Sequence, residues 1–186
     1  MGKVDARFQK SREVIDEASI KTLLRSPDAS MSEIALAAGV GRATLYRHYE
    51  SRDVLIQSLA RKCLEETDEL VEPIKAANLR GREAIEASID VLMPMADRFK
   101  FLLNLWSIAG HDKVVRKIYK RQLDELEDLI EQAKQQSEIA EDAPTVWVAS
   151  VFDSLLTTSW QMIKNDIMSP DEAAESFKKL FFKGLK

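Results

Sequence analysis

The sequence predicts an all-α fold, and three observations carry that prediction. Apolar residues recur three and four positions apart along nearly the whole chain, and no window alternates long enough for a strand. The punctuation between these stretches also belongs to helices: S-x-x-E boxes, prolines at starts and breaks, and glycines at ends. About nine helices follow, short ones in an N-terminal head and longer ones in the body.

The head reads as three helices. In residues 9–25 Val14, Ile15, Ala18 and Leu23 can line one side, and Ser26-Pro27-Asp28 ends the run. Ser30-Met31-Ser32-Glu33 is a capping box, in which the Ser30 hydroxyl and the Glu33 carboxylate satisfy orphan amides, and it opens a helix through Ile34, Ala35 and Ala38. Gly39 can close that helix in a left-handed conformation. Gly41 then precedes a third helix within "GVGRATLYRHYESRD", residues 39–53.

The body follows in order. Leu55, Leu59 and Cys63 stripe a helix running past Lys62 toward Pro73, so head and body share it. A turn at residues 78–81 leads to a stripe of Ile85, Ile89 and Leu92, which Pro94 should kink or end. Leu102, Leu103 and Trp106 mark a short apolar helix, and residues 112–136 an amphipathic one with a charged outer face. Pro144 opens a helix whose only charged residue between Val146 and Ile163 is Asp153. Ser169-Pro170-Asp171-Glu172 is a second capping box, leading into Ala174, Phe177, Phe181 and Leu185.

A soluble chain ending in two such apolar helices is explained if a second copy covers them, with Val151, Leu155, Thr158, Met162, Phe177 and Phe181 as candidate homodimer contacts. The bland reading is that both helices complete a monomer core.

Composition narrows the function classes. Of 186 residues 45% are hydrophobic and 31% charged, the balance of a globular chain and not a disordered one. There is no membrane-length apolar run and no signal-like N-terminus, so the expected compartment is the cytoplasm. A single cysteine excludes an internal disulfide, and two histidines far apart exclude neither structure nor binding but argue against a metal; no cofactor is expected. The net charge of −4 is uneven: residues 1–62 hold 11 Lys and Arg against 8 Asp and Glu, so a polyanion partner would meet the head.

Residues 30–49 together form a capped helix, a glycine-containing turn and a second helix with a polar first turn, the helix-turn-helix arrangement. At about 100° per residue, placing Leu45 and Tyr49 inward leaves Arg42, Ala43, Tyr46 and Arg47 outward, with Thr44 and His48 at the flank. Each has a use against DNA. Arg42 can pair bidentately with guanine, while Ala43 and the Thr44 methyl can meet a thymine methyl. Tyr46, Arg47, His48 and Arg52 can donate to phosphates, as can the helix start at Ser30 and Ser32. No nucleophile and base pairing, phosphate loop or metal spacing supports an enzyme.

The stretch "SMSEIALAAGVGRATLYRHYESRDVLIQSLA", residues 30–60, resembles the DNA-binding region of the TetR family of bacterial transcriptional regulators, most specifically in "AGV...TLYRHYESRDVL". The resemblance implies a DNA-binding domain over residues 1–53, a ligand-binding and dimerisation domain over 54–186, and a bridging helix over about 52–72. It places Arg42, Ala43 and Thr44 at base-reading positions and Tyr46, His48 and Arg52 at phosphate-contacting ones, with Arg47 open to either role. Gly41 stands where a capping Ser or Thr is usual, Ala43 where Gly is common, and Arg52 for a lysine; Ser26-Pro27-Asp28 replaces the usual glycine-aromatic turn.

The resemblance also implies a homodimeric repressor on a pseudo-palindromic double-stranded DNA operator, released by a small, largely apolar effector. Met93, Phe99, Leu102, Trp106, Trp147, Phe152 and Trp160 are the candidate lining of its pocket. The alternative is a constitutive or architectural DNA-binding protein with a solidly packed body and no effector.

Overall fold

The computed structural model describes residues 3–184. Among them the chain forms α1 (Lys3–Arg25), α2 (Met31–Ala37), α3 (Arg42–His48), α4 (Arg52–Ala76), α5 (Gly81–Leu92), α6 (Ala96–Ala109), α7 (Lys113–Gln135), α8 (Thr145–Lys164) and α9 (Pro170–Gly184). A 3-10 turn at Met93–Met95 separates α5 from α6, where Pro94 was expected to break the run. The all-helical plan is therefore the one adopted. Leu185, expected on the last stripe, lies outside the described residues.

Helix ends follow the caps written in the sequence. The Ser30 amide donates to Glu33 Oε2 at 2.8 Å and the Glu33 amide to Ser30 Oγ at 3.3 Å, completing the box that starts α2. At the other end Gly39 has φ +66°, its amide donates to the Leu36 carbonyl, and the Val40 amide donates to that of Ala35. These two bonds make a Schellman closure, which needs the left-handed residue that glycine supplies without strain. The box of Ser169 and Glu172 starts α9 by the same two reciprocal bonds.

Two boundaries differ from expectation. Helix α1 already runs at Lys3 and does not wait for residue 9. Helix α4 continues through Pro73 to Ala76. A proline there forfeits one amide bond, and the last turn is closed by Asn78 at φ 55°, with the Leu79 amide donating to the Ile74 carbonyl.

The chain divides into two compact units. The first takes in the chain up to Cys63 together with Phe101–Val115; the second takes in Leu64–Lys100 and the chain from Arg116 onward. Leu55, Ile56, Leu59, Ala60 and Cys63 of α4, all within the first unit, are fully buried. In the first unit Gln57 Nε2 reaches the Ile108 carbonyl at 3.4 Å, and Arg61 Nη2 reaches Asp112 at 3.0 Å. Asp112 also accepts the Val114 and Val115 amides, which pull its carboxyl below the usual range and cap α7.

The core of the first unit is built from Ile15, Ile20, Leu23, Ile34, Ala35, Leu45 and the buried face of α4. Val14, expected beside Ile15, is 51% exposed, since successive helical positions diverge by about 100° and Ile15 holds the inward one.

In the second unit α9 folds back on α5 and α8. Phe152, Phe177, Phe181 and Phe182 meet there in mostly edge-to-face pairs with centroids 5.0 to 5.9 Å apart. Such pairs contribute about 0.5–1.5 kcal/mol each beyond the area they bury.

Helix α5 lacks a side-chain cap of its own at Arg80. Two glutamines of α7 substitute: Gln132 Oε1 accepts the Gly81 amide at 3.1 Å and Gln136 Oε1 accepts the Arg82 amide at 3.0 Å. Gly81 sits at φ 51°, and a β-carbon on it would collide with the Gln136 amide group. Gly81→Ala should therefore cost about 2 kcal/mol or more, from the left-handed strain and from displacing Gln136. The check is a lower urea midpoint at unchanged m.

Candidate nucleic-acid interface

Seven residues are too few for a helix to hold itself in water, so α3 takes its place from what it buries. Leu45 is 0% and Tyr49 2% exposed, both inside the first unit's core. That fixes the helix's rotation. Arg42, Ala43, Tyr46 and Arg47 are exposed, while Thr44 and His48 are half-buried at the edges. The expected outward arc is thus the one presented, with Ser30 and Ser32 exposed at the start of α2.

Several of these side chains have local partners. Arg47 Nη2 donates to Thr44 Oγ1 at 3.0 Å, so one turn of α3 pairs a guanidinium with the hydroxyl beside it. The Ser30 hydroxyl is engaged with Glu33, and Ser32 stands exposed on α2. Arg52 turns toward the protein: its Nε donates to the Ala29 carbonyl at 2.9 Å and its Nη2 to the Pro27 carbonyl. The guanidinium that was expected to grip a phosphate therefore also braces the Ser26-Pro27-Asp28 turn ahead of α2.

His48 is held below the usual imidazole pKa, first by burial and then by the nearby Arg12 charge. It is thus neutral at pH 7 and offers an N–H without a full charge. Gly41 is the N-cap of α3, extended at φ −69° and ψ 149° with no side chain to bond the helix amides.

The Tyr49 hydroxyl is the feature the sequence reading missed. It is buried and hydrogen-bonded to Asp16 and Arg12, and both lie outside the quoted stretch. Only the polar group at an inward position hinted that a partner was needed.

The body candidates are shared between the two units. Leu102 and Trp106 belong to the first unit and Met93, Phe99, Trp147, Phe152 and Trp160 to the second. Met93 and Phe152 are core residues at 1% and 3% exposure, whereas Trp147 is 62% exposed on α8. Phe99, Trp106 and Trp160 are half-buried, and the Trp160 ring has the Lys164 ammonium 4.9 Å and the Lys100 ammonium 5.6 Å from its centre. Two surface grooves, one against α1 around Glu17, Lys21 and Ala37 and one between α5 and α9 around Arg82 and Lys179, involve none of the seven.

The dimer candidates split as well. Phe177 and Phe181, at 2% and 0% exposure, are consumed by the core of their own chain, so they cannot also face a second copy. Trp147 and Thr158 are exposed on α8 and Met162 is half-buried, whereas Val151 and Leu155 are half-buried and pack against that core.

Comparison with known proteins bears on this surface. Residues 25–59 match the family described as bacterial regulatory proteins, tetR family. The transcriptional repressor LfrR of Mycolicibacterium smegmatis is 33% identical over 90 residues, 45% of this chain, and the match spans about half of that relative's length, 46%. YvdT of Bacillus subtilis, described as an uncharacterized HTH-type transcriptional regulator, is 28% identical over 100% of this chain and 94% of its own.

Among solved structures, LfrR in complex with proflavine superposes with a TM-score of 0.73 at 22% identity, covering 97% of this chain and 98% of that one. FadR of Bacillus subtilis in complex with stearoyl-CoA superposes with a TM-score of 0.68 at 17% identity, covering 94% and 100%. These superpositions establish the shared fold.

Two measurements check the local chemistry. A β-carbon at Gly41 meets nothing within 4 Å. Gly41→Ser should therefore add a cap worth a few tenths of a kcal/mol, about 1 °C in the melting temperature. His48 favours the neutral form in the folded chain, so its contribution is present above the ordinary value of 6.5 and is lost as pH falls from there toward the lowered folded-state value. His48→Gln should accordingly shrink the fall in denaturant midpoint between pH 7 and pH 5.

Proposed function

We propose that the chain, whose residues 25–59 match the tetR family of bacterial regulatory proteins, is a TetR-type cytoplasmic homodimeric repressor that reads a pseudo-palindromic operator and leaves it on binding a small effector. Its relatives are regulators of transcription and not enzymes. The observation that carries the reading is the rotation of α3, whose burial of Leu45 and Tyr49 turns Arg42 and Ala43 outward and leaves Thr44 at the edge of the same arc.

In this reading Arg42 donates to guanine O6 and N7, and Ala43 and Thr44 approach thymine methyls in the major groove. Tyr46, Arg47, His48 and Ser32 donate to phosphates, and Arg52 does so with whatever donor capacity its carbonyl partners leave. Ser30 contributes through the cap it forms for α2.

The dimer seam in this reading centres on the exposed Trp147 and Thr158 of α8 and Leu180 of α9, which is 58% exposed, with the half-buried Val151, Leu155 and Met162 beside them. An exposed tryptophan and leucine beside small polar residues supply the anchors such an interface needs. Phe99 and Trp160 are the body aromatics left half-buried for an effector. Tyr119 and Asp153 lie on the neighbouring helices, the tyrosine hydroxyl donating to Asp153 at 3.3 Å. Burial pushes the Tyr119 hydroxyl up to about 12. Of the solved structures with this fold, LfrR holds proflavine and FadR holds stearoyl-CoA, and a flat ring system such as proflavine suits an aromatic site.

Selecting bound sites from a random DNA pool with the purified protein tests the reading. A two-fold symmetric site should emerge; failure to enrich any sequence at low salt would sink the proposal. Arg42→Ala should cost about 1–3 kcal/mol on that site and relax the preference at one base pair per half-site. Tyr46→Phe should weaken all sequences alike. Leu180→Glu should shift the sedimenting species from dimer toward monomer.

A further inference from the structure

Five side chains from α1, α4 and the end of α3 meet at one point of the first unit. Asp16 on α1 is 4% exposed. Its Oδ1 accepts the Tyr49 hydroxyl at 2.5 Å and its Oδ2 accepts the Lys62 ammonium at 3.2 Å. Arg12, one turn earlier, donates through Nε to the Tyr49 hydroxyl oxygen at 3.1 Å and through Nη2 to Ser58 Oγ at 3.0 Å. Its guanidinium carbon lies 5.5 Å from the centre of the Tyr49 ring. Tyr49 is the C-cap of α3, while Ser58 and Lys62 lie on α4.

A buried carboxylate is costly unless both oxygens are satisfied, and here each oxygen is satisfied by a different element. The same carboxylate therefore specifies two positions at once. Apolar contacts cannot do this. Burying Leu45 and the Tyr49 ring holds α3 against the core, but that attraction is non-directional and tolerates a swing of the helix. Charge-assisted hydrogen bonds lose strength quickly with angle and do not. A phenylalanine at position 49 would fill the ring's place and leave the direction unset. Burial and the bond to Asp16 also push the Tyr49 hydroxyl up to about 12, so it remains a donor throughout the physiological range.

We propose that Asp16 is a positioning residue for DNA reading, locking α3 to the first half of α4 through the Tyr49 hydroxyl and the Lys62 ammonium so that the two turn as one piece. This rests on the dimeric regulator reading, in which two heads meet two half-sites at a set separation. A rigid connection converts the course of α4 into a fixed placement of the reading helix. A loosened one lets each α3 find its half-site over a range of separations, so what suffers is discrimination between spacings and not base readout.

The test varies the spacer between two selected half-sites one base pair at a time and measures the affinity of full-length wild type, Tyr49→Phe, Lys62→Met and Lys62→Arg. Wild type is expected to prefer one spacing. In Tyr49→Phe and Lys62→Met the preference for that spacing over its neighbours should fall by about tenfold, the effect of losing one charge-assisted bond. Base preference within each half-site should not change, and Lys62→Arg should keep the wild-type discrimination. Unchanged spacing discrimination in both cut variants overturns the proposal, as does an equal loss at every spacing that follows the loss of thermal stability. If wild type selects no site at all, the regulator reading falls first and this inference with it.

Discussion

The structure depends on the burial of Leu45 and Tyr49, because a seven-residue helix cannot hold itself in water and takes its rotation from what it buries. Each side chain is worth about 1.5–3 kcal/mol when removed from water, enough to recruit a helix that would not form alone. The rotation this imposes decides the chemistry of the opposite side. Arg42, Ala43, Tyr46 and Arg47 are outward because residues three and four positions away are inward, and no contact of their own is needed to place them.

Polar groups then refine what apolar burial leaves loose. Arg52 braces the turn before α2, and the Asp16 network holds the end of α3. Capping boxes and left-handed closures end the helices with residues a few positions away, whereas the start of α5 relies on Gln132 and Gln136 of α7, some fifty positions distant. That distant cap makes the α5 and α7 register a single constraint. The requirement for glycine at position 81 is its local trace.

The body shows how one pattern admits two structures. Phe177 and Phe181 have the spacing of an interface stripe and equally that of a core stripe. Once α9 packs on α5 and α8, the phenylalanines fill the interior, while Trp147 of α8 and Leu180 of α9 stay exposed. Trp147 illustrates the converse, since a large aromatic reads as pocket lining until its helix is oriented.

Much of the head was legible because its determinants are local: S-x-x-E names a helix start, Gly39 a left-handed end, and the phase of Leu45 and Tyr49 the outward arc. By itself the sequence determined the helical class, the element order and the outward arc of α3, since these follow from backbone caps and a period of about 3.6 residues. Only the tertiary structure decided that α4 belongs to the head as far as Cys63, that Phe152, Phe177 and Phe181 are core, and that Tyr49 needs Asp16. Those outcomes turn on which faces meet across tens of residues, and periodicity says that a face is apolar without saying what covers it.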